Sequence, residues 1–238
     1  MVQQLKDQIS KIDYHEPVQS IGTWRELYME FIDHMSFSSI CEIGAGSPAF
    51  LKKVDIAKKC AIDLDNEHED DYNDYSIKFY KMNLDQDELH NDKILVDIVV
   101  CSDVFEHLLF PKKTLDFIHS ILNKNGVLFS HVPNEFGFRN YIKIALFNYK
   151  TVIFHNSEEH ENPHLRRFSK RGYLKFLEQK FKYNLFISDI NFKGIAKILN
   201  KLRFKIPYGL EPGPTFISTN SDNTYQEICD IKSKIISK

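Results

Sequence analysis

The feature that most constrains this chain is a short apolar segment running into two closely spaced glycines. Ser39-Ile40-Cys41-Glu42-Ile43 is too short and too apolar for a surface helix and reads as a strand buried on both faces. It ends in Gly44-Ala45-Gly46, followed by Ser47-Pro48. Glycine accepts backbone conformations closed to other residues and lets a ligand approach the chain with no Cβ in the way. Ser47 suits a helix N-cap and Pro48 a first helical position, so a helix is expected next. Alone, such a turn discriminates little. Asp63, about 20 residues on and at the end of the next apolar run, sharpens it, because a carboxylate there can accept from both hydroxyls of a ribose.

Further extended runs follow: Cys60 to Leu64, Ile77 to Met82, Ile94 to Cys101, Gly126 to Ser130, Asn184 to Ile190 and Thr215 to Thr219. Helical spacing predicts helices over Trp24 to Met35, Pro111 to Leu122, Ser169 to Lys180, a basic stretch Lys193 to Arg203, and Asn223 to Lys238. Ser169 is a candidate N-cap. Strands alternating with helices mark an α/β sheet with crossover connections. The acidic stretch Asn66 to Ser76 reads as a solvated loop or single turn where a crossover helix would be expected. The expected organisation is one domain over residues 1–238. N-terminal helices lie within 1–37, and a long aromatic and histidine-rich insertion over 134–168 acts as a lid.

Composition narrows the class. The 238 residues are 42 % hydrophobic and 27 % charged, enough for a core that needs no staples. With 31 basic and 33 acidic residues, the net charge of −2 does not argue for a bulk polyanion binder. No run reaches the roughly 18 apolar residues of a membrane span, and residues 1–11 have no apolar signal core. Cys41, Cys60, Cys101 and Cys229 form no CxxC pair and read as reduced thiols of a cytoplasmic protein.

Beyond the fourth extended run lie Asp103, Glu106 and His107. In open α/β sheets ligands bind beyond the carboxyl ends of the strands. If a helical turn begins at Asp103, the three side chains share one face. That would suit Mg²⁺ or Mn²⁺, with the imidazole shifting preference towards transition metals, but a plain helix cap fits the same spacing. His107 and His131 are candidate general bases, since imidazole titrates near neutrality. His155 and His160 are spaced too loosely to assign. Arg166, Arg167, Lys170 and Arg171 could face an acidic or phosphate-bearing substrate, or form a solvated helix entry. Lys193, Lys197, Lys201, Arg203 and Lys205 read as an exposed helix face. A dinucleotide site is the competing use of the glycine turn, but it gives the Asp103 to His107 stretch no role.

Together these residues resemble a class I S-adenosylmethionine-dependent methyltransferase, densely from Ser39 to Gly126 and more loosely through Pro133-Asn134 and His164 to Phe168. The resemblance implies a Rossmann-like, seven-stranded, mostly parallel sheet with helices on both faces and an antiparallel last strand. It implies that Glu42, Gly44, Ala45 and Gly46 meet the methionine end of the cofactor and that Asp63 holds the ribose with Leu64 beside the adenine. Asn83, with Leu84, falls at the adenine amino group, and Ser102 lies beside the methyl donor. Pro48 departs from the family's third glycine. Asp103-x-x-Glu106-His107 is similar to the Glu-x-x-Glu-His metal ligands of ubiquinone-pathway O-methyltransferases and small-RNA 2′-O-methyltransferases. His164 before Phe168 matches a further histidine of the latter. The activity so implied is methylation of a hydroxyl on a sugar, lipid-linked glycan or aromatic metabolite. Asp103 with His107 or His131 would activate the acceptor, with metal assistance through Asp103, Glu106, His107 and His164. An RNA 3′-end 2′-O-methyltransferase and a non-catalytic module of the same fold are the alternatives.

Overall fold

The structure, a computed structural model, describes residues 23–65, 67–87, 94–134, 136, 164–191 and 213–237. In chain order the elements are α1 (Thr23–Ile32), β1 (Ser39–Ile43), β2 (Lys58–Asp63), α2 (Glu69–Asp74), β3 (Lys78–Lys81), β4 (Val96–Ser102), α3 (Pro111–Ile121), β5 (Leu122–His131), α4 (Lys170–Leu177), β6 (Tyr183–Phe186), β7 (Thr215–Thr219) and α5 (Asp222–Ser237). A 3-10 turn, Ser188–Asn191, lies between β6 and β7. The strands form one seven-stranded sheet in the order β3-β2-β1-β4-β5-β7-β6. The five strands from β3 to β5 run parallel, and β7 is antiparallel to both β5 and β6. The result is a Rossmann-like sheet carried by a single domain, as the sequence implied.

Alternation along the strands sorts the core into two layers. Cys41, Ile43, Val99, Cys101 and Leu128 face α3 and α4, meeting Leu115, Ile118, Tyr173 and Phe176. Ile40, Val100, Phe129 and Ile217 face α1 and α5, meeting Tyr28, Phe31, Ile228 and Ile231. Side chains repeat on one face every second residue, so Glu42, Ser102 and His131 follow Ile40, Val100 and Phe129 onto the α1 face. This parity positions the site, because each of the three stands near the carboxyl end of its strand.

Helix ends follow local chemistry. Pro111 opens α3, where its missing N–H is no loss. Ser169 caps α4 by accepting from Gly172 N at 3.0 Å. β5 follows α3 directly. Its register against β4 slips between Val96 and Ile98, so Asn123 to Asn125 bulge out before Gly126.

Three expectations change. No helix follows Gly46: Ser47-Pro48 open only turns, with Lys52 N donating to Pro48 O at 2.9 Å. The Asn66 to Ser76 stretch contains the short helix α2. Its Tyr72 is fully buried and stacks on Phe79, with ring centroids 5.1 Å apart, which holds an otherwise acidic segment onto the sheet. The extended run from Asn184 stops at Phe186 and turns into the 3-10 segment. Residues 1–22, most of the 134–168 insertion with His155 and His160, and the basic stretch Lys193 to Arg203 lie outside the described residues. The cysteines are all free thiols. Among the described residues no helix is long and apolar enough to cross a membrane.

Candidate active site

The first turns of α1 reach three strand ends at once. Arg25 donates from Nε to Glu42 Oε1 at 2.9 Å, with Nη2 also 2.9 Å away. Tyr28 Oη lies 3.1 Å from Ser102 Oγ. The Trp24 ring stacks on His131 at 5.3 Å and 16°, and the Arg25 guanidinium lies 4.3 Å over the Trp24 ring. A polar tooth at positions i, i+1 and i+4 of α1 thus meets the three residues that strand parity delivered to that face. The sequence reading named Glu42, Ser102 and His131 but missed Trp24, Arg25 and Tyr28. Alternation in β1, β4 and β5 was the signal that could have found their shared face.

Glu42 is only 1 % exposed, and its Oε2 is buried with no hydrogen-bond partner. Burial pushes its carboxyl up to about 7, against the pull of Arg25. Past it the chain turns through Gly44 and Gly46, with φ of 67° and 59°. Gly44 N donates to Ile62 O at 2.8 Å, and a Cβ there would lie 2.3 Å from Val104 Cγ2. A Cβ at Gly46 would meet nothing within 4 Å: this turn borders open space. Gly46 N donates to Asp63 Oδ2 at 2.8 Å, and Asp65 N to Asp63 Oδ1 at 3.1 Å. The turn and the acid from β2 therefore stand side by side. Ala45 is buried and Leu64 half-buried beside them.

Asn83 does structural work: its Oδ1 accepts from Asp85 N and Gln86 N at 3.0 and 3.1 Å. Leu84 is buried beneath this turn. The next residue, Asp85, was not anticipated. It is buried, and its two oxygens accept from Leu109 N and Phe110 N, both at 2.9 Å. It ties the loop after β3 to the loop after β4.

The Asp103 to His107 stretch departs from the helical face that spacing suggested. Asp103 has φ of 55°, so it stands outside any helix, and a single turn follows, closed by His107 N donating to Val104 O at 3.0 Å. Asp103 N donates to His131 O at 3.1 Å, and Asp103 Oδ1 lies 3.6 Å from His131 Nε2. Asp103 thus belongs with His131. Glu106, His107 and His164 converge separately, each offering a ligand atom within 4.8 Å of the others. The His107 and His164 rings meet edge-on at 4.7 Å.

Electrostatics separate the two groups. Protein packed around the Asp103 carboxyl pushes it up to about 6, against the pull of Arg25 and His164. Its side chain keeps 41 % of its surface accessible, so the shift reflects a concave setting rather than full burial. Burial, with a contribution from Arg25, pushes His131 down to about 3, so its imidazole is neutral at pH 7. Arg166 does not reach outward as a substrate clamp: its guanidinium donates to Leu108 O and to Leu109 O, and its N–H donates to Glu106 O at 3.0 Å. It fixes the loop that carries Glu106 and His107.

A parallel sheet with one antiparallel strand next to last, a glycine turn after its first strand and an acid after its second define a Rossmann-like methyltransferase fold. A family model described as a methyltransferase domain matches residues 16–193, and the chain belongs to that family. Solved structures agree on the fold. BpumL, the plantazolicin methyltransferase, was determined with a triazolic desmethylPZN analogue and S-adenosylhomocysteine. It is 14 % identical with a TM-score of 0.56, over 92 % of each chain. A SAM-dependent methyltransferase of Thermotoga maritima is 16 % identical with a TM-score of 0.53, over 83 % of this chain and 91 % of that one. The N-methyltransferase NodS of Bradyrhizobium japonicum, bound to S-adenosylhomocysteine, is 11 % identical with a TM-score of 0.52, over 92 % and 98 %. No curated protein sequence matches the chain.

Proposed function

We propose that this protein transfers a methyl group from S-adenosylmethionine to a hydroxyl of a small-molecule acceptor such as a sugar, lipid-linked glycan or aromatic metabolite. The observation that carries the reading is the open left-handed turn at Gly46, set between the buried Glu42 carboxylate and Asp63. Glu42 Oε2, buried without a partner, suits the α-ammonium of the methionine end. Asp63 suits the ribose hydroxyls, which would replace its bond to Gly46 N. Leu64, Leu84 and the turn at Asn83 border the adenine, and Ser102 lies on the donor side. His164, where the described chain resumes, lies beside His107 on the acceptor side.

The chemistry is an in-line displacement with the acceptor oxygen held roughly 3–3.5 Å from the methyl carbon. An oxygen lone pair forms the new C–O bond, the C–S pair returns to sulfur as a neutral thioether, and the hydroxyl proton passes to His131 Nε2. Burial keeps His131 neutral but also makes it a weak base, so the proton transfer depends on the Asp103 carboxylate beside Nε2 to stabilise the imidazolium as it forms.

The convergence of Glu106, His107 and His164 favours metal assistance as a second reading. One carboxylate and two imidazoles suit a divalent transition ion, so the donor set fits, and Asp103 is not part of it. A bound ion would lower the pKa of an acceptor hydroxyl.

Calorimetric titration of S-adenosylhomocysteine into chelator-treated protein, repeated with Mg²⁺ and with Mn²⁺, tests both readings. Micromolar or tighter binding that Asp63→Ala weakens at least ~10-fold is expected. No binding under any condition refutes the enzyme reading in favour of a non-catalytic module.

A further inference from the structure

We infer that Thr215 is a positioning residue for His131: its hydroxyl accepts the Nδ1 hydrogen and so leaves Nε2, the nitrogen turned towards Asp103, with the lone pair. The inference rests on the proposed role of His131 as the base. His131 Nδ1 and Thr215 Oγ1 are 2.9 Å apart. A threonine hydroxyl has one hydrogen to give, and Thr215 donates it to Gly213 O at 3.2 Å. With that hydrogen given to Gly213 O, what remains on Oγ1 is acceptor capacity, and this pairing assigns the hydrogen between the two side chains to Nδ1. At the other end of the ring, 3.6 Å separates Nε2 from Asp103 Oδ1, too far for a hydrogen bond that would draw the hydrogen across.

The hydroxyl is itself held. Thr215 is the cross-strand partner of His131 in the antiparallel β5–β7 ladder. Its backbone N donates to Ser188 Oγ at 2.8 Å, and Ser188 Oγ donates to the same Gly213 O at 2.7 Å. Both side chains are buried. Gly213 closes on the ring edge so tightly that a Cβ there would lie 2.4 Å from His131 Cε1. Trp24 covers one face of the ring. Among the described residues, the charged groups facing the imidazole are Asp103, just after β4, and Arg25 from α1. Every contact that orients the ring is therefore in place before an acceptor arrives, and the lone pair points into the space between His131 and Asp103. A base held in its working tautomer needs no rearrangement before it takes a proton, which is the part a third residue plays when it orients a catalytic imidazole.

The test is a long-range proton–nitrogen correlation spectrum of the full chain labelled with ¹⁵N-histidine at pH 7, with His131 assigned from the spectrum of His131→Gln. The wild type is expected to show the hydrogen on Nδ1. Thr215→Val should move it wholly or partly to Nε2, and Thr215→Ser should restore the wild-type pattern. A wild type with its hydrogen on Nε2, or a Thr215→Val spectrum identical to wild type, overturns the inference. The wild-type and serine spectra decide it even if the valine variant does not fold. In methyl transfer, Thr215→Val should lower kcat by at least ~10-fold with the KM for S-adenosylmethionine unchanged. If His131→Gln transfers methyl at the wild-type rate, the base reading fails and Thr215 loses its catalytic meaning, whatever the tautomer.

Discussion

Replacing Glu42 by glutamine should change how stability depends on pH, by an amount the structure fixes. The carboxyl sits at about 7 in the folded protein against 4.5 for the free side chain, a difference worth about 3 kcal/mol at 1.36 kcal/mol per pKa unit. The folded state binds this proton more tightly than the unfolded chain. Its contribution is therefore fully present below about pH 4.5 and lost as pH rises to about 7. Wild-type protein should lose about 3 kcal/mol from this group across that window, and Glu42→Gln should lose none of it. His131 acts in the opposite sense, since its lowered pKa removes stability as pH falls from 6.5 towards about 3. Asp103 acts in the same sense as Glu42. Both residues are present in both proteins, so their own ionisation recurs in each, and the difference isolates Glu42 apart from the coupling that all three have through Arg25. Arg25, left without its counter-charge, costs the variant stability. Urea unfolding of both proteins at pH 5, 6, 7 and 8, with equal m values, gives the difference directly. It should move in the variant's favour by about 2–3 kcal/mol between pH 5 and 8. Parallel profiles would refute the reasoning, because Glu42 would then ionise as an ordinary carboxylate despite its burial. The same variant should bind S-adenosylhomocysteine more weakly, since the ligand ammonium loses its anionic partner.

Two further outcomes follow from the geometry. Gly44→Ala forces an L-residue to φ of 67° and a Cβ to 2.3 Å from Val104 Cγ2, and should cost ~2–5 kcal/mol in urea unfolding. Glu106→Gln should remove any divalent-ion stimulation of methyl transfer while leaving S-adenosylhomocysteine affinity within about twofold; a wild type indifferent to chelator and to added metal would remove the metal reading.

Much of this fold was legible in the sequence because buried parallel strands leave apolar runs that few other structures produce. β1 and β7 lie where the runs placed them, and the Gly44–Gly46 turn meets Asp63 as their spacing suggested. What was not legible depends on contacts distant in sequence. Arg25 and Glu42 are 17 residues apart, and Tyr28 and Ser102 are 74 apart. No local pattern in α1 says which of its faces will cover a sheet that has not yet been written. The helical face expected for Asp103, Glu106 and His107 does not form, for a local reason. Helical spacing presumes helical dihedrals, and the chain at Asp103 takes the left-handed conformation instead. Tyr72 shows the reverse error: a run of acids concealed the one aromatic ring that anchors it.

The three contacts of α1 have a consequence for the order of events. One helix touches the Glu42 carboxylate and the His131 imidazole, the two sides of the proposed cleft, through adjacent residues Arg25 and Trp24. A ligand that reseats Arg25 when it engages Glu42 would disturb the guanidinium–indole contact beside His131. Occupancy of one half of the cleft is then thermodynamically linked to the other. By reciprocity, whatever factor the donor contributes to acceptor affinity, the acceptor returns to the donor. The two substrates would enter as partners, and the helix at the start of the described chain would be the element through which each registers the other.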